Sequence, residues 1–345
     1  MEKFMYETEE TKQLKAVYEH LQDEESRKIY VARSLFSLSD NRLYMYDVIR
    51  NMSVSKYLLG AIQKHYNQKM ILFGAGTWGD AITKIFPELN WNFIVDNKKN
   101  GKQLNGYYIS NLSDIQNYQE CFFVIAVLFK YREIVNQLLS LGIRKKNLLV
   151  LGEYAEKKQY FDLPQLNISN DEVFIDAGGF NGDTSSQFAK KTLYKYKKIY
   201  LFEPNAKSAE KCRNELKNLH DCEIIQKGTW SKNELLTFLE QEEGSRQVNT
   251  AENNTVTIEA TTIDSILKGE EATFIKMDVE GAELNSLIGA KNTIIKYKPR
   301  LAISVYHRRN DIWEIPKLLL KYNPDYKFYL RIYSFTGNDA VLYAI

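Results

Sequence analysis

EVFIDAGGFNGDTS, residues 172–185, decides how the second half of this 345-residue chain is read. The apolar run Val173 to Ile175 leads into an acid, Asp176, and then into Gly178, Gly179 and Gly182 before polar residues that open a helix. A strand that breaks into a glycine-rich turn and then a helix is the first βα unit of a parallel α/β sheet. The spacing is not GxGxxG, because residue 180 is Phe. Such a loop can instead wrap a ligand without a pyrophosphate, its amides and the helix N-terminus facing a carboxylate. Asn181 and Asp183 are candidates for the same polar end. The next strand, KIYLF, ends in Glu203, 27 residues after Asp176, where a carboxylate can accept from both hydroxyls of a ribose. A generic turn followed by a surface glutamate would look similar, but two acids at adjacent strand ends lie where open α/β sheets bind ligands.

Downstream the apolar segments continue as EIIQKG, LLTFLE, TVTIEA, TFIKMD, RLAISVYH, KFYLRIYS and AVLYAI, with helical patterns between most of them. This is a complete second sheet. In IKMDVEGAEL, Asp278 and Glu280 are two apart and share a face if the chain stays extended. With His307, which closes the following strand, they can form a general base or hold a divalent metal. Two carboxylates and one histidine make an incomplete metal set, and Glu280 and Glu283 also suit the start of a helix, so the base is the preferred reading. His307 is the first choice, neutral at pH 7 if its pKa stays near 6.5, and Asp278 orients it or the acceptor. His20 and His65 fall on helical stretches and His220 in a turn, where structural roles suffice.

Upstream, residues 1–66 contain one glycine, no proline and apolar residues at helical spacing, and they read as a helical region. From residue 67 to 152 short strands (MILFGAG, WNFIVDN, CFFVIAVL, NLLVLG) alternate with helices. After MILF come Gly74, Gly76 and Gly79, and Asp96 ends the next strand 22 residues after Gly74. This is the dinucleotide fingerprint in its proper context, so the segment reads as a Rossmann-like domain able to hold a nucleotide. The polar stretch 153–171 reads as a linker, leaving 172–345 as the last domain.

With 46 basic and 44 acidic residues the net charge is +2, which excludes a chain driven by overall charge toward nucleic acid or an anionic membrane. The nine apolar residues 121–129 fall far short of the roughly 20 needed to span a bilayer and read as a buried strand. The opening MEKFMYETEE, with four glutamates, is unlike a secretory signal, and a cytoplasmic location is expected. Cys121, Cys212 and Cys222 form no metal or disulfide pattern.

From about residue 172 to 345 the sequence resembles the FkbM family of S-adenosylmethionine-dependent methyltransferases, through FIDAGGFNGDTS, YLFEPN, KGTWS, TTIDSIL, IKMDVEGAELNSLIGA and the terminal YLRIYS and VLYAI. The resemblance implies a class I methyltransferase fold, a seven-stranded sheet with its last strand antiparallel, and O-methylation of a sugar or natural-product hydroxyl. It places Asp176, Gly178 and Gly182 in the cofactor loop, Glu203 on the cofactor ribose, and Asp278, Glu280 and Gly281 in the DVEG segment. The loop departs from the family's commoner GANIG, and no motif identifies the acceptor. Residues 68–150 resemble the nucleotide-binding-like N-terminal domain of bacterial sugar-modifying enzymes. The expected partner is a small-molecule or saccharide acceptor, nucleotide- or lipid-linked, with the N-terminal helices available for homo-oligomer contacts. Two other readings stand beside this one: a non-catalytic scaffold or sensor that binds nucleotide or S-adenosylmethionine, and an NAD-dependent oxidoreductase built on the first sheet.

Overall fold

The structure is a computed structural model that describes residues 8–239, 246–247 and 255–345. The helical region holds α1 (Glu9–His20), α2 (Glu24–Ser39), α3 (Leu43–Ile49) and α4 (Ser53–Lys64). Helix α1 begins where the Thr8 side chain accepts the Thr11 amide, with Glu9 and Glu10 against the positive end of its dipole. The chain divides into two compact units, and the division runs through α2: described residues up to Tyr30 join Tyr160–Arg331 and Ala340–Ile345, while Val31–Gln159 joins Ile332–Asp339. The expected region 1–66 is therefore shared between the units. Its helical periodicity says nothing of which core each apolar face enters.

In the unit containing Val31–Gln159, the elements are β1 (Met70–Phe73), α5 (Thr77–Ile85), β2 (Phe93–Val95), β3 (Gln103–Leu104), β4 (Tyr107–Ser110), β5 (Phe122–Ile125), α6 (Tyr131–Ser140), β6 (Leu148–Val150) and α7 (Leu151–Lys158). The sheet order is β3-β4-β2-β1-β5-β6, parallel except for the β3–β4 hairpin. All four residues of β5 are buried, which is why its sequence shows no alternation. The stretch 153–171 is no exposed linker. Its polar start is the outer face of α7, and beyond the helix Tyr160, Phe161, Leu163 and Leu166 are all buried. Phe161 packs on Phe174, Phe188 and Phe274 beneath the second sheet.

That second unit continues with β7 (Val173–Ala177), α8 (Asp183–Lys191), β8 (Lys198–Phe202), α9 (Ala206–Leu216), β9 (Cys222–Ile225), β10 (Gly228–Thr229), β11 (Glu234–Leu239), β12 (Arg246–Gln247), β13 (Thr255–Thr261), α10 (Ile263–Leu267), β14 (Phe274–Met277), α11 (Glu283–Ile288), α12 (Lys291–Tyr297), β15 (Arg300–Ser304), α13 (Asp311–Tyr322), β16 (Phe328–Arg331) and β17 (Val341–Ala344). Its main sheet has seven strands in the order β16-β17-β15-β14-β7-β8-β9. Only β17 runs antiparallel, between β15 and β16. This is the architecture implied by the resemblance. Strands β10 to β13 form a separate four-stranded sheet inserted between β9 and β14. Strands β7, β8 and β14 lie side by side and parallel, so their carboxyl ends present Ala177, Phe202 and Met277 along one edge. The site residues follow directly from those ends.

Candidate active site

Asp176 is the fourth residue of β7 and fully buried. Its Oδ1 lies 3.0 Å from Lys276 Nζ, and its Oδ2 accepts from Ser185 Oγ at 2.7 Å. Lys276 also donates to the Gly178 carbonyl at 2.6 Å, so this buried ion pair ties β14 to the loop after β7. Sequence reasoning missed Lys276, although a lysine inside the apolar strand FIKM was itself a signal, since lysines are almost never fully buried unless paired. Gly178 has φ +86°, and a Cβ there would collide with the Asp278 carbonyl oxygen. The loop passes too close to β14 for any side chain.

Glu203 sits just past β8 and is 7% exposed. One carboxylate oxygen accepts the Phe180 amide at 2.8 Å and the other the Asn205 amide at 2.9 Å. Burial raises its pKa against the opposing pull of those two amides. A carboxylate has about four acceptor positions, so two remain for hydroxyl donors. Those acceptor positions match the two hydroxyls of a ribose, such as that of S-adenosylmethionine. Asn181 and Asp183 are bonded to one another, Nδ2 to Oδ2 at 2.7 Å, with the Asp183 amide returning to Asn181 Oδ1. They brace the turn ahead of α8.

On the other side of the edge, β14 and β15 are adjacent and parallel, which brings Asp278 and His307 together. The chain does not stay extended through Asp278 and Glu280, as the sequence reading supposed. Glu280 has φ +54° and Gly281 φ +91°, and this tight turn still leaves Asp278 Oδ1 and Glu280 Oε2 each 3.5 Å from His307 Nε2. Glu283, read only as a helix-start residue, is fully buried, and its Oε1 lies 2.8 Å from His307 Nδ1. Burial pulls the imidazolium pKa down, but the Glu283 bond and the charges of Glu283, Asp278 and Glu280 outweigh it and lift His307 to about 9. The expectation of an ordinary imidazole near 6.5 is corrected accordingly. Three carboxylates surround it and keep it protonated at neutral pH. Asp278 moves the other way: burial would raise it, yet His307, Lys276 and hydrogen bonds that include the Tyr160 hydroxyl bring it below the usual aspartate value. The groups with a cation-site composition among the described residues are Asp278, Glu283 and His307, whose ligand atoms lie within 4.8 Å of one another. Glu280, in the expected set, is not among them. His307 Nδ1 meets Glu283 Oε1, while the buried Glu283 Oε2 has no hydrogen-bond partner among the described residues.

In the other unit, the loop after β1 is also tightly built: a Cβ on Gly79 would collide with the Gly74 carbonyl oxygen, whereas Gly76 faces open space. Asp96 accepts the Ala75 amide at 2.9 Å and the Lys98 amide at 2.8 Å. Gly74 and Gly79 thus meet, and Asp96 is tied to the loop at Ala75, next to Gly76. No helix among the described residues is long and apolar enough to cross a membrane.

Residues 176–332 match the family described as Methyltransferase FkbM domain, and residues 66–149 match the one described as C2185-like, N-terminal. The fold is similar to the crystal structure of a methyltransferase FkbM from Methylobacillus flagellatus KT, at 17% identity and a TM-score of 0.50, covering 90% of this chain and 100% of that one. A more distant likeness is to fibrillarin from Aeropyrum pernix, solved with natively bound S-adenosyl-L-methionine, at 11% identity and a TM-score of 0.36 over 56% of this chain and 73% of that one. No curated protein matches the chain in sequence.

Proposed function

We propose, from the premise that residues 176–332 are an S-adenosylmethionine-dependent methyltransferase domain of the FkbM family, that the enzyme methylates a hydroxyl of a saccharide, glycan precursor or related small molecule. The observation that carries this reading is the placement of His307 and Asp278 at the carboxyl edge shared with Glu203 and the Gly178–Gly182 loop. The first turn of α8 would face the cofactor's amino-acid end and Glu203 would hold its ribose, while the amides of Gly178, Gly179, Phe180, Gly182 and Asp183 are bonded within the protein and shape the loop. Asp176 and Lys276 would support the loop from beneath. When bound, S-adenosylmethionine supplies a methyl group already activated by its sulfonium.

What remains for the protein is to align the acceptor oxygen and take its proton as the new bond forms. His307 Nε2 points toward Asp278 and Glu280, so an acceptor hydroxyl entering between them can donate to the neutral imidazole. Because the pKa is about 9, only a small fraction of His307 is in that form at pH 7, but each such imidazole is a stronger base than one of pKa 6.5. Asp278 and Glu280 would then stabilise the imidazolium produced.

The test is methyl transfer from labelled S-adenosylmethionine to a panel of nucleotide sugars, lipid-linked saccharides and free oligosaccharides. Transfer to oxygen that rises with pH toward 9 supports the proposal. Tight cofactor binding with no acceptor methylated favours the scaffold or sensor reading, and NAD(P) reduction favours the oxidoreductase.

A further inference from the structure

We infer that Tyr160 is a positioning residue of the methyl-transfer site, holding Asp278 so that its Oδ1 faces His307; this rests on the reading of His307 as the base. Tyr160 lies in the stretch that the sequence presents as a linker, yet its side chain is buried and its hydroxyl donates to Asp278 Oδ2 at 2.6 Å. The same hydroxyl is 3.5 Å from Ser304 Oγ, and the ring lies 5.2 Å from Lys276 Nζ. The residue thus touches β14, β15 and the buried lysine that braces the cofactor loop.

Two features show that this placement is imposed. Tyr160 has φ +69°, a conformation that costs a non-glycine residue free energy and persists only where the surroundings over-determine it. Those surroundings are apolar: Phe161 is wedged among Phe174, Phe188 and Phe274, and Leu163 and Leu166 are buried. The hydrophobic anchors after Tyr160 fix its backbone, and the backbone aims the hydroxyl.

The two oxygens of Asp278 are divided between partners. Oδ2 takes Tyr160, while Oδ1 takes the Tyr306 hydroxyl at 3.2 Å and faces His307 Nε2 at 3.5 Å. Tyr160 holds Oδ2, and the Tyr306 bond to Oδ1 and a hydrogen bond from Ser304 add to the hold on the carboxylate that faces His307. The bond from its hydroxyl to Asp278 is the route by which Tyr160 acts on the site.

Tyr160→Phe removes one oxygen. A hydrogen bond to a charged group is worth about 10- to 150-fold, so kcat should fall about 10-fold or more while the S-adenosylmethionine Kd stays at the wild-type value. The His307 titration, followed by imidazole NMR, should move to lower pH as Asp278 loosens. In an Asp278→Asn background the same substitution should change kcat less than about 2-fold, because neighbours that act through one another are not additive. An unmoved His307 titration, or an undiminished loss in the Asp278→Asn background, overturns the positioning role. Should Tyr160→Phe fail to fold, the tyrosine is left in place and its acceptor removed: a slowly exchanging Tyr160 hydroxyl proton in the wild type that disappears in Asp278→Ala supports the contact, and one that persists there refutes it. His307→Ala, run alongside, separates the two claims, since normal turnover there removes the base assignment and leaves the NMR result on Tyr160 to stand or fall alone.

Discussion

Glu283→Gln tests the electrostatics of the site without needing the acceptor. The rise of His307 from 6.5 to about 9 is worth about 3 kcal/mol of preference for the imidazolium. Three carboxylates supply it, and burial works against them, so an equal share is at least about 1 kcal/mol each. Glu283 holds more than an equal share, at 2.8 Å where Asp278 and Glu280 stand at 3.5 Å. Glutamine keeps the shape and can still accept the Val279 amide that Glu283 now takes at 2.8 Å, while removing the charge. The midpoint should therefore drop by at least about one pH unit, to about 8 or below. With four histidines in the chain, imidazole NMR can follow each one, His307→Ala identifying the signal. Stability gives a second readout. A histidine whose pKa is raised on folding stabilises fully below pH 6.5 and loses that contribution as pH rises through about 9, so the wild type should lose about 3 kcal/mol over that window from His307 and the Gln variant less. A wild-type midpoint near 6.5, or a Gln variant that titrates where the wild type does, would refute the reasoning.

Glu203→Ala should weaken S-adenosylmethionine binding about 10- to 150-fold by calorimetry, the loss of a charged acceptor; unchanged affinity in a folded variant removes Glu203 from the cofactor site. His307→Ala should leave that affinity near wild type and lower turnover about 10²-fold or more, the signature of an interaction made mainly in the transition state. Lys276→Met strands the Asp176 carboxylate in the core and should cost about 3–5 kcal/mol in denaturant unfolding, part of which Asp176→Asn in the same chain should restore. Gly178→Ala should abolish cofactor binding in a chain that still folds, because relieving the collision with the Asp278 carbonyl requires the loop to move off β14.

The sequence alone determined what depends on neighbours along the chain. A strand, a glycine turn and a helix are local matters of periodicity and allowed dihedrals, so β7, its loop and Glu203 at the end of β8 were legible, as was the run of strands that forms the seven-stranded sheet. The parallel pairing of β14 with β15 could be anticipated too, and with it the meeting of Asp278 and His307. Tertiary structure decided the rest, because burial and charge depend on groups far apart in sequence. Lys276 found its partner 100 residues away in Asp176, and Tyr160 reached Asp278 across 118 residues from a stretch whose composition spoke only of solvent. The protonation of His307 is the sharpest case. An isolated histidine carries no record of the three carboxylates that fold around it, and it is their combined field in a partly buried pocket, summed against desolvation, that sets its pKa.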